Sequence, residues 1–505
     1  MELQEIKNFI VGCIDNYLNR FYKNHKNRAN ELKIFVENCS SYHEMCLRII
    51  NEHSLFNLGY SLVNVNLNPT FEHWIKNKNT DGAYYQTVIE PAFNTIFSIN
   101  YNSLPLKNSS SNFGKTLIFR ENCDFYDDLV PFLEQQKIHY KVLKKGNEWL
   151  RDTFFVGKEK IYIRTKQEIN VKKQQNNLPC NVNSKKNYTQ NQFRNLQDAY
   201  LITNKFLSMN HNFYDNHDFM AQHSSKRDLQ NLIKQDLKKD TIRPLEGGNL
   251  FEAINCEDVK YYFIGVNVLL NESDFRNIKY GTMSDPSNLS NRDILSKCHV
   301  ELERYKKIFK TDNVICLPQW AYHLDLQISY MGDSTFLIHS FNEVLNNIDE
   351  ISSDINKKDQ VAKFARDALQ RELVIKYIDA ILRSCKFKTI KYAGILHKTY
   401  QGVGENGEIV ELNPKYALGQ EAISTFINGI DLCTHGNKKF YLTIDSPCNN
   451  HKAYFTKLLK KQNIEVVYLK VNGKSAEDTV KHISYRGGAL RCQTNFIPFD
   501  YLNQL

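Results

Sequence analysis

Lys439-Phe440-Tyr441-Leu442-Thr443-Ile444, the segment from His451 to Gln462, and Ile464-Glu465-Val466-Val467-Tyr468 together decide the fold class. Two short apolar runs rich in β-branched and aromatic residues read as strands, and the segment between them as a helix. The same texture occurs much earlier. Thr116-Leu117-Ile118-Phe119 reads as a buried strand, Asp127 to Gln135 as a helix, and Ile138-His139-Tyr140-Lys141-Val142-Leu143 as a second strand. Phe154-Phe155-Val156 and Lys160-Ile161-Tyr162-Ile163 then read as a hairpin around Gly157. Short strands alternating with helices predict an α/β domain assembled from similar units.

Outward from these units the texture changes. Ile6, Phe9, Ile10, Cys13, Ile14 and Leu18 recur at helical spacing, so residues 1–110 are expected to be a mainly helical domain. The polar run Asn108-Ser109-Ser110-Ser111-Asn112 marks its end, and 113–505 is read as the α/β domain. Two long stretches, about 166–242 and 341–420, read as insertions, the second with a helical segment from Lys358 to Cys385.

The composition excludes several classes. At 42% hydrophobic and 24% charged residues the 505-residue chain has the makeup of an ordinary globular protein. It carries no apolar run of membrane-spanning length, and no membrane association is expected. The acidic start Met1-Glu2-Leu3-Gln4-Glu5 does not resemble a Sec-type signal peptide. Twelve cysteines without regular spacing fit reduced thiols in a cytoplasmic compartment. The net charge of +9 is scattered among acids and amides, which speaks against a nucleic-acid surface.

Four short patterns place catalytic-type groups at strand ends or turns. They are Trp149-Leu150-Arg151-Asp152, Leu245-Glu246-Gly247-Gly248-Asn249-Leu250, Tyr322-His323-Leu324-Asp325-Leu326, and Arg486-Gly487-Gly488-Ala489-Leu490-Arg491-Cys492-Gln493-Thr494-Asn495. In the second, the two glycines are expected to permit a backbone geometry closed to other residues. In the third, period-two alternation would place His323 and Asp325 on one face of a strand. Each has a plain structural reading too: a surface pair, a turn, a satisfied polar pair, a packing thiol. Other motifs are weaker. Gly114-Lys115-Thr116 has the end of a P-loop, but Ser109 stands where the first glycine is required. His211, His217 and His223 lie in a polar stretch, and Cys448 with His451 lacks a second ligand pair, so no metal is expected.

Taken in order, the four patterns resemble the guanidino-group-modifying branch of the pentein superfamily, which holds arginine, agmatine and protein-arginine deiminases and amidinotransferases. Ser424-Thr425-Phe426-Ile427-Asn428-Gly429 is similar to that family's Asn-Gly turn. The resemblance implies an α/β propeller of repeated ββαβ-like units, preceded here by the helical N-terminal domain. It implies Cys492 as nucleophile, His323 as proton carrier and Glu246 as the group that orients it. Asp152 and Asp325 would grip a planar guanidinium through its N–H edges, with Arg151 and Asn249 as further substrate-binding residues.

The implied reaction is hydrolysis of a guanidino group of arginine, agmatine or a protein arginine to a ureido group and ammonia. It passes through a covalent thiouronium and needs no cofactor, while calcium dependence stays open. Arg491 stands where many agmatine and protein-arginine deiminases have histidine, and Asn249 where an aspartate often follows Glu-Gly-Gly. Because adjacent residues of an extended turn diverge, Arg491 is expected to point away from the thiol. An amidinotransferase using the same intermediate, and a non-catalytic binding protein of the same fold, stay open as alternatives.

Overall fold

The computed structural model describes residues 3–20, 26–41, 44–53, 84–97, 114–144, 150–152, 154–158, 161–163, 238–239, 247–265, 269, 292–318, 323–352, 358–359, 361–362, 365–366, 372–394, 401–403, 409–411, 426–434, 436–486 and 489–502. Its strands in chain order begin with β1 (Lys115–Arg120), β2 (Tyr140–Leu143), β3 (Phe154–Val156), β4 (Ile161–Ile163) and β5 (Lys238–Lys239). Then come β6 (Leu250–Ile254), β7 (Lys260–Gly265), β8 (Val314–Leu317), β9 (Ile328–Tyr330), β10 (Thr335–His339) and β11 (Lys388–Tyr392). A separate hairpin, β12 (Gln401–Val403) and β13 (Ile409–Glu411), precedes β14 (Ile430–Cys433), β15 (Lys439–Ile444), β16 (Ile464–Leu469) and β17 (Asn495–Pro498).

Apart from the β12–β13 hairpin, these strands form five three-stranded sheets with one topology. In β3-β4-β5, β6-β7-β8, β9-β10-β11 and β14-β15-β16 the first two strands run antiparallel and the third is parallel to the second. The fifth sheet obeys the same rule across the length of the domain. There β17 pairs antiparallel with β1, Thr116 facing Ile497, and β2 pairs parallel with β1. The last strand therefore completes the first unit.

Parallel neighbours need a crossover, and helices supply it. Tyr126–Gln135 joins β1 to β2, Arg292–Phe309 joins β7 to β8, Glu372–Ser384 joins β10 to β11, and Asn449–Lys460 joins β15 to β16. The middle strands β1, β7, β10 and β15 are buried almost throughout, which is why β1 and β15 read as apolar runs in the sequence. Strand β11 lies inside the stretch read as a second insertion, so that stretch includes the fourth unit's own crossover and third strand. Gly114 has φ +79° at the turn into β1, and Lys115 pairs with Glu252 at 3.1 Å, which accounts for both without any phosphate-binding role.

The N-terminal helices join the same apolar core as the sheets. Leu3–Arg20 buries Ile6, Ile10, Ile14 and Tyr17 along one stripe, whereas Phe9, expected on that stripe, is 44% exposed. The helix at 44–53 reaches β8 through Asn51. Its Nδ2 donates to the Val314 carbonyl (3.1 Å) and its Oδ1 accepts the Cys316 N–H (2.9 Å). One amide side chain thereby satisfies a strand edge as a further strand would. Among the described residues, no helix is long and apolar enough to cross a membrane.

Beside Asn51, His53 is fully buried and stacks on Phe93 at 3.8 Å, with Tyr377 edge-on. Burial drives its pKa down to about 3. Burial also takes His451 down to about 4, against the opposing contact with the Ala393 carbonyl. The unfolded chain, with histidine pKa near about 6.5, takes up protons that the folded chain refuses. Stability from these residues is therefore complete above about pH 6.5 and is lost as the pH falls toward 4 for His451 and 3 for His53. Each pH unit in that window costs about 1.4 kcal/mol per residue. The melting temperature is expected to drop steeply between about pH 6.5 and 4, and His53→Phe to give a shallower slope. Parallel slopes for the two proteins would place the acid sensitivity elsewhere.

Candidate active site

Each unit's first strand is entered from a short turn, and the five turns meet. Leu150–Asp152 leads into β3, Gly247–Asn249 into β6, Leu324–Leu326 into β9, residues 426–429 into β14, and Leu490–Gln493 into β17. The turn at Leu490–Gln493 packs on those at Leu150–Asp152 and Gly247–Asn249, and the latter packs on Leu324–Leu326. Asn428 ties in the remaining turn, because its Nδ2 donates both to Cys492 Sγ (3.2 Å) and to the Asp325 carbonyl (3.5 Å).

Cys492, His323 and Asp325 are all buried there, their sulfur, ring nitrogen and carboxylate oxygen within 4.8 Å of one another. The thiol donates to Asp325 Oδ2 at 3.6 Å, and His323 Nδ1 lies 4.0 Å from Asp325 Oδ1. Arg491 Nε stands 3.6 Å from Asp325 Oδ2. The Arg491 guanidinium stacks 3.9 Å from the centre of the Phe251 ring and donates from Nη2 to the Leu250 carbonyl at 3.1 Å. Burial lowers the Arg491 pKa from its ordinary value, while Asp325 and Asp431 act in the opposite direction. The site thus holds a thiol, an imidazole, a carboxyl group and a guanidinium in one buried cluster. A cavity of about 80 Å³ adjoins it, bounded in part by Arg151, Gly247, Phe251, Arg491 and Asn495.

The Cys492 turn is fastened from several sides. Asn428 Oδ1 accepts the N–H of Ala489 (3.1 Å) and of Cys492 (3.3 Å), and the Asn428 carbonyl accepts the N–H of Arg491 (3.2 Å). Arg151 Nε donates to the Arg491 carbonyl at 2.8 Å. Next to the cysteine, Gln493 exchanges two hydrogen bonds with Asp124, whose carboxylate also meets His482 Nε2 at 3.1 Å. Asn249 Oδ1 holds the His323–Asp325 turn by accepting the Leu324 N–H at 3.1 Å.

Three sequence expectations are corrected. His323 and Asp325 do not alternate along a strand: Leu324–Leu326 is a 3-10 turn closed by hydrogen bonds from Leu326 and Gln327, and β9 starts only at Ile328. The two side chains approach because His323, in extended conformation, caps that turn. Arg491 does not point away from the site. Leu490–Gln493 forms a single helical turn rather than an extended one, so neighbouring side chains are 100° apart and both reach Asp325. The glycines at 247 and 248 are not needed for a left-handed backbone. A Cβ on Gly247 would lie 2.2 Å from the Arg151 carbonyl oxygen, and one on Gly248 2.4 Å from His323 Nδ1. Close approach of Arg151 and His323 is what excludes larger residues.

Of the other expected residues, Asp152 is placed by its backbone in the turn beside Cys492. Glu246, Gly487 and Gly488 lie outside the described residues. Sequence reading did not name Asn428 as a site residue. Its signal was the Asn428-Gly429 pair, where a Cβ on Gly429 would lie 2.5 Å from the Leu442 carbonyl oxygen.

No protein-family model matches the chain, and no curated protein matches it. Among solved structures it is similar to the agmatine deiminase of Enterococcus faecalis, with a TM-score of 0.40 and 14% identity over 79% of this chain and 96% of that one. It is also similar to the agmatine deiminase of C. jejuni, with a TM-score of 0.35 and 13% identity over 77% of this chain and 95% of that one. A third similar structure is the N-terminal domain of ArgZ, with a TM-score of 0.31 and 9% identity over 76% of this chain and 97% of that one.

Proposed function

We propose that this chain is a cysteine-dependent deiminase of the guanidino-group-modifying, pentein-type class, hydrolysing a guanidino group to a ureido group and ammonia. The observation that carries the reading is the buried convergence of the Cys492 sulfur with His323 and Asp325 where five strand-entry turns meet. In the same reading the five units close round one axis as an α/β propeller, supported by β17 completing the sheet of β1 and β2. Residues 113–505 form the catalytic part, and residues 1–110 a helical domain.

The chemistry follows from the substrate's resistance to deprotonation, its pKa lying above about 12. Asp325 and Asp152 hold the guanidinium in plane, and its positive charge favours the Cys492 thiolate. The sulfur attacks the central carbon and forms a tetrahedral adduct. His323 delivers a proton to the departing nitrogen, and loss of ammonia leaves the S-alkylthiouronium. The same imidazole then takes a proton from water, whose oxygen attacks the carbon. Collapse releases the ureido product and frees the Cys492 sulfur. Glu246 orients His323, and Arg151 and Asn249 complete the binding surface through the turns they hold.

The test is to incubate the full chain with free arginine, with agmatine and with an arginine-containing protein, measuring ureido product and ammonia. Equimolar ureido product and ammonia from at least one of them is expected, without added amine. Product that forms only when an amine such as glycine is supplied would replace hydrolysis by amidino transfer. Absence of turnover on all three would overturn the reading.

A further inference from the structure

We propose that Asn428 is a catalytic residue whose side-chain amide donates the hydrogen bond that holds the Cys492 sulfur as a thiolate in its attacking position. The proposal rests on the reading of Cys492 as nucleophile, but its test does not require the substrate to be known.

The orientation of the amide follows from its neighbours. Two backbone N–H groups, of Ala489 and Cys492, point at one of its ends from 3.1 and 3.3 Å, and only an oxygen accepts from both. The other end is then the NH₂, which has two hydrogens and faces two acceptors, the Asp325 carbonyl at 3.5 Å and Cys492 Sγ at 3.2 Å. All four hydrogen-bonding capacities of the amide are used, and the residue is 1% exposed, so the group has no room to turn over.

A second asparagine separates the structural from the chemical part of this arrangement. Asn249 stands at the equivalent place, in the turn before the first strand of the third unit. Its Oδ1 accepts a backbone N–H from the turn of the following unit, as Asn428 Oδ1 does across the closure to the first unit. The clamp is thus a repeated element of the fold. What Asn428 adds is an N–H directed at the reacting sulfur.

That N–H acts differently on the two forms of the sulfur. A thiol donates to Asp325 Oδ2, as it does here, and accepts from Asn428 only weakly. Once ionised, the sulfur is repelled by Asp325 and becomes a strong acceptor for Asn428. Among the described side chains, the charged or titratable groups around it include, besides Asp325, the Arg491 guanidinium, the His323 ring and Arg151, which reaches the turn through the Arg491 carbonyl. Asn428 is a neutral donor in direct contact, and its contribution does not depend on a bound substrate.

The experiment is the pH dependence of iodoacetamide alkylation, read by mass spectrometry on the Cys492 peptide of the full-length chain. Asn428→Asp keeps the oxygen that accepts from Ala489 and Cys492 and replaces the donor by an anionic oxygen. Its Cys492 alkylation midpoint is expected at least one pH unit above wild type, a tenfold lower thiolate fraction at neutral pH. The kcat should fall by on the order of 10²-fold. Should the buried carboxylate prevent folding, Asn428→Ala removes the donor without adding charge, and the same upward shift is expected. A folded Asn428→Asp or Asn428→Ala chain whose midpoint matches wild type would overturn the proposal and leave Asn428 as a clamp only. A shifted midpoint in a chain whose wild type turns over no guanidino substrate would retain the proposal and reject the deiminase reading.

Discussion

Cys492→Ser should abolish turnover while leaving the fold intact. The hydroxyl fits the space of the thiol and can accept from Asn428 and donate to Asp325, as the sulfur does. Stability should therefore change little. The chemistry should not survive, because a serine hydroxyl at neutral pH offers no anionic nucleophile, whereas a thiol ionises within reach of neutral pH. A loss on the order of 10⁴- to 10⁶-fold in kcat is expected, the scale seen when a covalent nucleophile is removed. Rapid quenching of the wild-type reaction should reveal a mass adduct on the Cys492 peptide, absent from the serine variant. Undiminished ureido product from Cys492→Ser would remove the covalent mechanism altogether.

Asp325→Asn is expected to damage both activity and stability, and the two losses can be separated. Asp325 is fully buried, and among the described residues its carboxylate meets the Cys492 thiol, the His323 ring and the Arg491 guanidinium. Neutralising it leaves Arg491 as a buried cation without that counter-charge, which should cost about 3 kcal/mol in denaturant unfolding. It also removes one of the two proposed anionic grips on the substrate, so kcat/KM should fall by on the order of 10³-fold. Adding Arg491→Met to Asp325→Asn should restore much of the stability, since the stranded charge is gone, but not the activity. If the double variant regained turnover, Asp325 would be serving Arg491 rather than the substrate.

Much of this was legible along the chain. The strands at 115–120 and 439–444 were found because middle strands buried on both faces leave an unbroken apolar run. Cys492, His323 and Asp325 stood out as chemically capable residues in short, unusual contexts. The register of their meeting was not legible. Reading His323 and Asp325 as strand neighbours gave the right pairing for the wrong reason, since a 3-10 turn and a capping histidine bring them to 4.0 Å. Arg491 was misplaced because an extended turn and a helical turn have the same residues but opposite side-chain geometry. Gly247 and Gly248 carry no sign in the sequence that Arg151 and His323 press against them.

The sequence by itself determined the α/β class, the candidate groups for chemistry and their separation into different repeated units, because periodicity and residue chemistry are local properties. Only the tertiary structure decided that β17 completes the first unit, that the five entry turns meet, and that Asn428 lies on the sulfur 64 residues away along the chain. The physical reason is that these are contacts between surfaces. A hydrogen bond of 3.2 Å depends on how whole sheets pack, and no spacing within one segment encodes that.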